Sequence, residues 1–364
     1  DITFVSYLFN LVPEAEHKNR FASRYWNHLP EVLISQLQKT NWLHLYVKDA
    51  LLPDEAKAAD TLRRFNQTGQ DLQHHLTLDS FIRITVVLRA VRDWIILALK
   101  ALGLGFKLRK SSHSYSYIFP LLASDWHKSF FGVTAINNLL SFNLFEEAMR
   151  ALPRQRIGFY LQENQAWELA FIQAWRAAGH GTLIGVPHAT VRFWDLCYFS
   201  DKRAFQREKK TAMPMPDAVA LNGIAATNAY LSGAYPEEQI VQVEALRYQY
   251  LASANSRKRL SISPHQPLQL LVLGDCLESN TNLQLCLLEE AVSSLAHDLT
   301  ITFKPHPLCP VTAEDYPGLR LHVVVDPIEQ LITKCHAAYA SSETSAAVDA
   351  YLSGVPVVSI LDPR

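Results

Sequence analysis

Two histidines in this chain of 364 residues stand directly behind prolines at the ends of apolar runs: His306 in FKPHPLCP and His188 in TLIGVPHATVRFWDL. A proline fixes its own φ, lacks a backbone donor and holds the residue before it extended. Each imidazole is therefore presented on a stiff loop leaving a strand. That rigidity suits ligand binding or proton transfer and is not needed by a packed core histidine. Lys304 precedes His306 by two residues and Pro307 follows it. A lysine and an imidazole on one loop suit an anion.

Two further stretches agree with an anion site. LVLGDCLESN places Gly274 and Asp275 just past a strand, and SSETSAAVDAYLSGVPVV places Ser341, Ser342, Glu343, Thr344 and Ser345 at a helix start. Hydroxyl residues there leave backbone N–H groups pointing outward, with the helix dipole adding positive potential, an arrangement that binds phosphate. Capping of Ser345 by Ser342, or of Thr344 by Ser341, is the alternative that needs no ligand. No G-x-x-x-x-G-K-[ST] or G-x-G-x-x-G is present, which disfavours a P-loop nucleotidase and a Rossmann dehydrogenase.

The first half offers proton chemistry. GFYLQENQAWE ends a strand with Gln162, Glu163 and Asn164 before a helix opens. The bland reading has Asn164 capping that helix and Glu163 solvated. Arg192 and Asp195 follow His188 at +4 and +7, so the three share a face if the segment is helical. Imidazole, guanidinium and carboxylate together suit general acid–base work on a hydroxyl and the grip of a carboxylate. Glu163, His188 and Asp195 are the candidate catalytic groups, with Gln162, Asn164, Arg192 and Arg247 as candidate substrate contacts. Arg247 lies in VEALRY beside Glu244, where a hinge role is the alternative.

These residues need elements to hold them. From Ile2 to about Tyr250, strand-like runs (ITFVSYLF, WLHLYV, RIGFYL, TLIGVPH, AVALNG, IVQVEAL) alternate with helical patterns near 54–66, 79–104, 134–150, 165–178 and 223–232. Residues 253–267 (SANSRKRLSISPHQP) have no apolar period and read as a linker. A second alternation of strands and helices fills 268–364. The expectation is an α/β protein of two doubly wound, Rossmann-like domains, 1–252 and 268–364, facing a cleft, with ligands beyond the carboxyl ends of parallel strands.

Composition narrows the class. A formal net charge of −1 argues against a nucleic-acid partner. The five cysteines are scattered, and neither C-x-x-C nor H-E-x-x-H occurs, so no disulfide framework or structural zinc is indicated and a reducing cytoplasm is the simplest setting. No signal peptide is visible. SFIRITVVLRAVRDWIILALKALGLGF carries charges at helical spacing, so it reads as an amphipathic helix packed on its own domain, with a membrane-surface helix as the alternative. DKRAFQREKK holds five cations; a solvated face is the plain reading and contact with anionic lipid or a phosphorylated acceptor the other. The chain opens inside a strand-like run and stops just past another, as a trimmed sequence would.

FKPHP followed by SSETSAAVDAYLSGVPVV resembles the nucleotide-binding half of GT-B glycosyltransferases, especially the bacterial enzymes that use CMP-activated acidic sugars, sialyltransferases and Kdo transferases. ITFVSYLFNL, NWLHLYVKDALLP, YLQENQAWE, HATVRFWDL and VEALRY also resemble a family of surface-carbohydrate biosynthesis proteins. The resemblance implies that His306 faces a donor phosphate with Ser341 and Ser342 as hydroxyl partners. It implies transfer of Kdo or another acidic sugar from a CMP donor to a surface polysaccharide or lipid-linked glycan. No cofactor or metal beyond the nucleotide sugar is expected, in line with the absence of D-x-D. The setting implied is the cytoplasm, with peripheral contact at the inner membrane as an option. A UDP- or GDP-sugar or CDP-glycerol donor, a sugar-nucleotide epimerase and a non-catalytic scaffold are the alternatives. Glu343 has Ala350 seven residues on, which breaks the E-x-x-x-x-x-x-E pattern of many UDP-sugar enzymes.

Overall fold

The computed structural model describes every residue except 70, 111–114, 190, 192–195, 206–212, 247, 250, 252–259, 263–265, 296–297, 308, 342–343 and 361–364. The chain divides into two compact units, Asp1–Arg247 and Tyr248–Arg364. Most of the expected linker 253–267 lies outside the described residues.

The first unit is built on a parallel sheet of seven strands: β1 (Ile2–Leu8), β2 (Thr40–Tyr46), β3 (Gln73–Thr77), β4 (Ile157–Gln162), β5 (Thr182–Pro187), β6 (Ala218–Leu221) and β7 (Ile240–Gln242). Its helices are α1 (Pro13–Glu16), α2 (Leu29–Ser35), α3 (Glu55–Thr68), α4 (Ile84–Lys110), α5 (Tyr115–Phe130), α6 (Val133–Ala151), α7 (Ala166–Ala177) and α8 (Ile224–Ser232). Strand order is β3-β2-β1-β4-β5-β6-β7, so the direction of winding reverses between β1 and β4. At that switch point the connecting segments part to opposite faces and leave a crevice beyond the strand ends.

Side chains alternate across this sheet with the strand period of two. Phe4 stacks on Trp42 at 4.2 Å and joins Ile2, Leu8, Trp26 and Leu161 in one core. Val5, Leu43, Tyr160 and Leu183 point the other way, into a core closed by Phe145, Phe171 and Trp175. Burial on both faces explains why β1 reads as a nearly continuous apolar run.

Among the elements that escaped the sequence pattern are β3, α5 and α2. β3 is QHHLT, in which Gln73 and His75 are the buried positions. α5 contains Pro120, and α2 is only seven residues.

The second unit is a parallel sheet of β8 (Leu268–Leu273), β9 (Leu299–Lys304), β10 (His322–Val323), β11 (Ala337–Ala340) and β12 (Val357–Ser359), in the order β10-β9-β8-β11-β12. Its helices are α9 (Glu278–Ser293), α10 (Ile328–Leu331) and α11 (Ala346–Leu352). The winding reverses between β8 and β11. Both units are thus doubly wound parallel α/β sheets, as expected. LRLHVVV contributes only two paired residues, and Phe303 and Leu273 anchor the two cores on either side of the sheet.

Candidate functional site

In the first unit the strand register brings the expected groups together. Gln162 of β4 pairs with Pro187 of β5, so Glu163 and His188, each one residue further on, emerge side by side. Glu163 Oε1 lies 3.1 Å from His188 Nε2. From across the switch point, the Tyr7 hydroxyl at the end of β1 donates to Glu163 Oε2 at 2.9 Å and accepts from Trp167 Nε1 at 3.1 Å. The Tyr25 ring meets the His188 ring edge-on at 4.6 Å.

α7 starts at this point, and its first turn is bound to the site. Glu168 receives the backbone N–H of Glu163 at 2.7 Å and of Gln165 at 2.8 Å, a capping-box arrangement. Gln165, not Asn164, is the N-cap. Asn164 instead adopts a left-handed φ of 58°, which its short polar side chain tolerates, and accepts from Gln162 Nε2 at 3.2 Å. Gly185 leaves room beside it. A Cβ there would stand 2.3 Å from Gln162 Oε1 and 3.0 Å from the Tyr160 hydroxyl.

Burial raises the Glu163 carboxyl, but the hydrogen bond and charge of His188 and the hydrogen bond of Tyr7 outweigh it, so the group is held below its usual range. Burial, with the Glu163 charge, pushes the Tyr7 hydroxyl far up. Burial lifts Glu168 to about 7, against its backbone donors.

Two polar atoms at this site have no hydrogen-bond partner: His188 Nδ1 and Gln162 Oε1. The His188 side chain is only 10% exposed. A carboxylate can only accept, so Nε2 carries a ring proton, and in the neutral form of the ring Nδ1 holds the lone pair. His188 also lines a cavity of about 420 Å³ that runs along one face of the sheet past Phe4, Phe159, Leu161 and Val186, with Trp26 and Leu29 over it.

Tyr7, Tyr25, Trp167 and Glu168 were not singled out from the sequence. Tyr7 lies 156 residues from Glu163, and only the strand order reveals the contact. The Glu168 signal was local: a polar residue three before a Glu at a helix start. Arg192, Asp195 and Arg247 lie outside the described residues.

In the second unit Asp275 and Ser341 follow β8 and β11 and meet at the switch point, where the Ser341 hydroxyl donates to Asp275 Oδ2. Asp275 is fully buried. Leu277 N donates to its Oδ1 at 2.8 Å, and Asn280 Nδ2 reaches Oδ2 at 3.4 Å. Burial raises this carboxyl, but donors led by Ser341 and Leu277 N hold it below its usual range. His306 is half-buried, which lowers it, while the Asp275 charge pulls the other way. The loop turns at once, His306 bridging to Cys309 with Cys309 N donating to His306 O at 2.9 Å; Pro307 sits exposed in the turn. Gly274 allows this approach, since a Cβ there would stand 3.2 Å from His306 N and 3.3 Å from Pro305 Cα.

The remaining expected ligands are placed differently. The Lys304 ammonium donates to the carbonyls of Asp326 at 2.7 Å and Val325 at 3.4 Å, which ties it to the loop after β10. Ser345 is the N-cap of α11 without a side-chain cap bond, the Thr344 carbonyl accepts from Ala347 N, and α11 is seven residues long. Ser342 and Glu343 lie outside the described residues. A separate cavity of about 520 Å³ is lined by Cys276, Glu278, Asn282, Cys309, Asp315 and Tyr316. Among the described residues, no group of three His, Cys, Asp or Glu could hold a metal ion.

No protein-family model matches the chain, and no curated protein matches it. Solved structures that resemble it include the Anabaena protein HepE in complex with UDP and glucose, 13% identical over 98% of this chain and 80% of that one, with a TM-score of 0.44. The UDP-N-acetylglucosamine 2-epimerase of Rickettsia bellii is 10% identical over 98% of this chain and 77% of its own, with a TM-score of 0.47. A UDP-forming α,α-trehalose-phosphate synthase of Burkholderia vietnamiensis is 10% identical over 98% and 88%, with a TM-score of 0.45. Superpositions this loose carry nothing about substrate or reaction, and the α/β class rests on the strand orders themselves.

Proposed function

We propose that the protein is a GT-B-type glycosyltransferase in which Glu163 and His188 form the proton-accepting pair and the Asp275–His306–Ser341 cluster holds the donor nucleotide. One observation carries the reading: His188 is fixed through Nε2 by a carboxylate while Nδ1 is left without a partner at a sheet switch point. A base oriented by a carboxylate is the arrangement that activates a hydroxyl. The acceptor O–H gives its proton to Nδ1 as its oxygen bonds to the anomeric carbon. The bond from that carbon to the donor phosphate breaks, and the nucleotide leaves with the electron pair. Glu163, kept ionised, stabilises the imidazolium. Direct displacement of this kind inverts the anomeric centre.

His306 is the donor-phosphate contact in this reading, and Ser341, whose hydroxyl donates its one proton to Asp275, braces the switch point beside it. Glu278 and Asn282 offer acceptors to a nucleoside's hydroxyl and amino donors. The FKPHP and SSETS stretches favour a CMP-linked acidic sugar such as Kdo, which Arg192 and Arg247 would grip. A UDP-sugar donor is the alternative kept from the sequence, so uridine nucleotides belong in the test. The acceptor is a glycan or lipid-linked hydroxyl, and no metal is required.

The test is a thermal-shift panel of CMP, CDP, UMP, UDP and GDP on wild type and His306→Ala. A ligand at a hundredfold over its dissociation constant stabilises by about 2.7 kcal/mol. A shift with CMP, lost in His306→Ala, is expected. A shift with UDP alone replaces the donor class, and no shift with any nucleotide overturns the reading.

A further inference from the structure

The expectation for residues 79–104 was a helix packed by its apolar side. In the structure α4 packs mainly by small residues. Ala90, Ala101 and Gly105 are buried together with Val86. The large apolar side chains point outward: Leu88, Val91, Ile95, Leu99, Leu102 and Phe106 are all exposed, Leu99 at 64% and Phe106 at 60%. Their spacing of three and four residues makes one straight stripe about 27 Å long at a rise of 1.5 Å per residue. Beside its far end, a cavity of about 320 Å³ between α4 and α5 is lined by Leu102, Phe106, Phe119 and Trp126. Leu121 of α5 is 81% exposed.

Charge distinguishes the occupants. Residues 83–131 carry eight Lys or Arg against two Asp, in a chain whose formal net charge is −1; Arg83 and Arg89 pair with Glu147 of α6 and Arg92 with Asp93, and Lys100 and Lys107 stand exposed on α4. At about 100° per residue, the exposed cations Arg92, Lys100 and Lys107 all fall on one flank of the stripe, the flank away from the packed face; the pairing of Arg92 with Asp93 at 2.7 Å leaves the two lysines as the main charge there. A second copy laid antiparallel, stripe against stripe, would bring two cationic flanks together. An anionic surface is attracted to the same flank while the stripe enters its acyl boundary, the pattern of a helix that lies in an interface. Among the described residues no helix is long and apolar enough to cross a membrane.

We infer that the exposed face of α4, continued by α5, docks the protein on an anionic lipid bilayer, lying in the headgroup plane. The inference does not depend on the proposed reaction. It also does not use the basic stretch at 201–210, half of which lies outside the described residues.

The experiment is flotation of the full chain with vesicles of pure phosphatidylcholine and with vesicles containing about a third phosphatidylglycerol, at low and high salt, with light scattering for oligomeric state. The chain should float with anionic vesicles and much less with neutral ones or in high salt. Leu99→Ser with Leu102→Ser should reduce partitioning at least about tenfold. Reversal of Lys100 and Lys107 to Glu should reduce it at least about twentyfold, at roughly fivefold or more per cation. These positions are exposed, and circular dichroism checks that the helices remain. Equal flotation with neutral vesicles overturns the inference, as does flotation with neither. A dimer dissolved by the leucine substitutions, without vesicle binding, assigns the face to self-association instead.

Discussion

Glu163 and Asp275 each stand just past a strand that borders their sheet's switch point, β4 in the first unit and β8 in the second. Both carboxyls are held below the usual range although burial opposes it. They differ in what surrounds them. Asp275 accepts from Leu277 N, Asn280 and Ser341 and is fully buried, so its lone pairs serve the fold. Glu163 is 30% exposed, and its partner His188 retains an unpaired ring nitrogen. A buried polar atom without a partner costs about 1–3 kcal/mol, and such costs gather where chemistry is done. In the proposed reading, the same topological position braces a binding loop in one unit and is left open for reaction in the other.

The comparison is broken most sharply by substitutions that confuse the two roles. Glu163→Gln removes the charge that stabilises an imidazolium, so transfer should fall by about 10²–10⁴-fold, with unfolding of the first unit shifted little; comparable loss of stability would make the pair structural. Asp275→Ala should do the reverse. It strands the Leu277 N–H and the Ser341 hydroxyl and should cost about 2–4 kcal/mol in denaturant unfolding of the second unit. An unchanged midpoint would show that Asp275 does not anchor that switch point.

A smaller effect follows from acid. His44 and His75 are buried 3.0 Å apart, nitrogen to nitrogen; burial pushes His44 down to about 3, and burial plus the neighbouring His44 and His74 lower His75. The unfolded chain takes up those protons first, so stability falls as pH drops below the unfolded value near 6.5. Each histidine contributes about 1.4 kcal/mol per pH unit. Glu168 opposes them, because a folded value raised to about 7 binds its proton first in the native state. The net slope between pH 6.5 and 5 should be about 1.4 kcal/mol per pH unit in urea titrations of the first unit. A flat profile would place a charged histidine in that core. Smallest is Ser341→Ala, at about 1 kcal/mol for the second unit.

Much of this was legible in the chain. The β-branched and aromatic runs of β1, β4 and β5 announced a buried parallel sheet, and Pro187 and Pro305 marked both histidine loops. What escaped depended on distance or on facing. Tyr7 reaches Glu163 only because β1 and β4 are neighbours. β3 hides because its buried positions are Gln73 and His75; the His75 ring stacks with His44 and Trp42 and meets Phe21 at a tilt. The period of α4 declared an amphipathic helix, but periodicity does not say which side packs, and small residues took that role.

The most direct test of the central claim is transfer from CMP- and UDP-sugars to a hydroxyl acceptor, followed as nucleotide release by wild type and His188→Ala at matched nucleotide affinity. Release by wild type that falls at least about a hundredfold in His188→Ala, with nucleotide binding retained, is the predicted result. Equal rates in the two proteins, or no turnover by wild type with any sugar nucleotide that it binds, would contradict it.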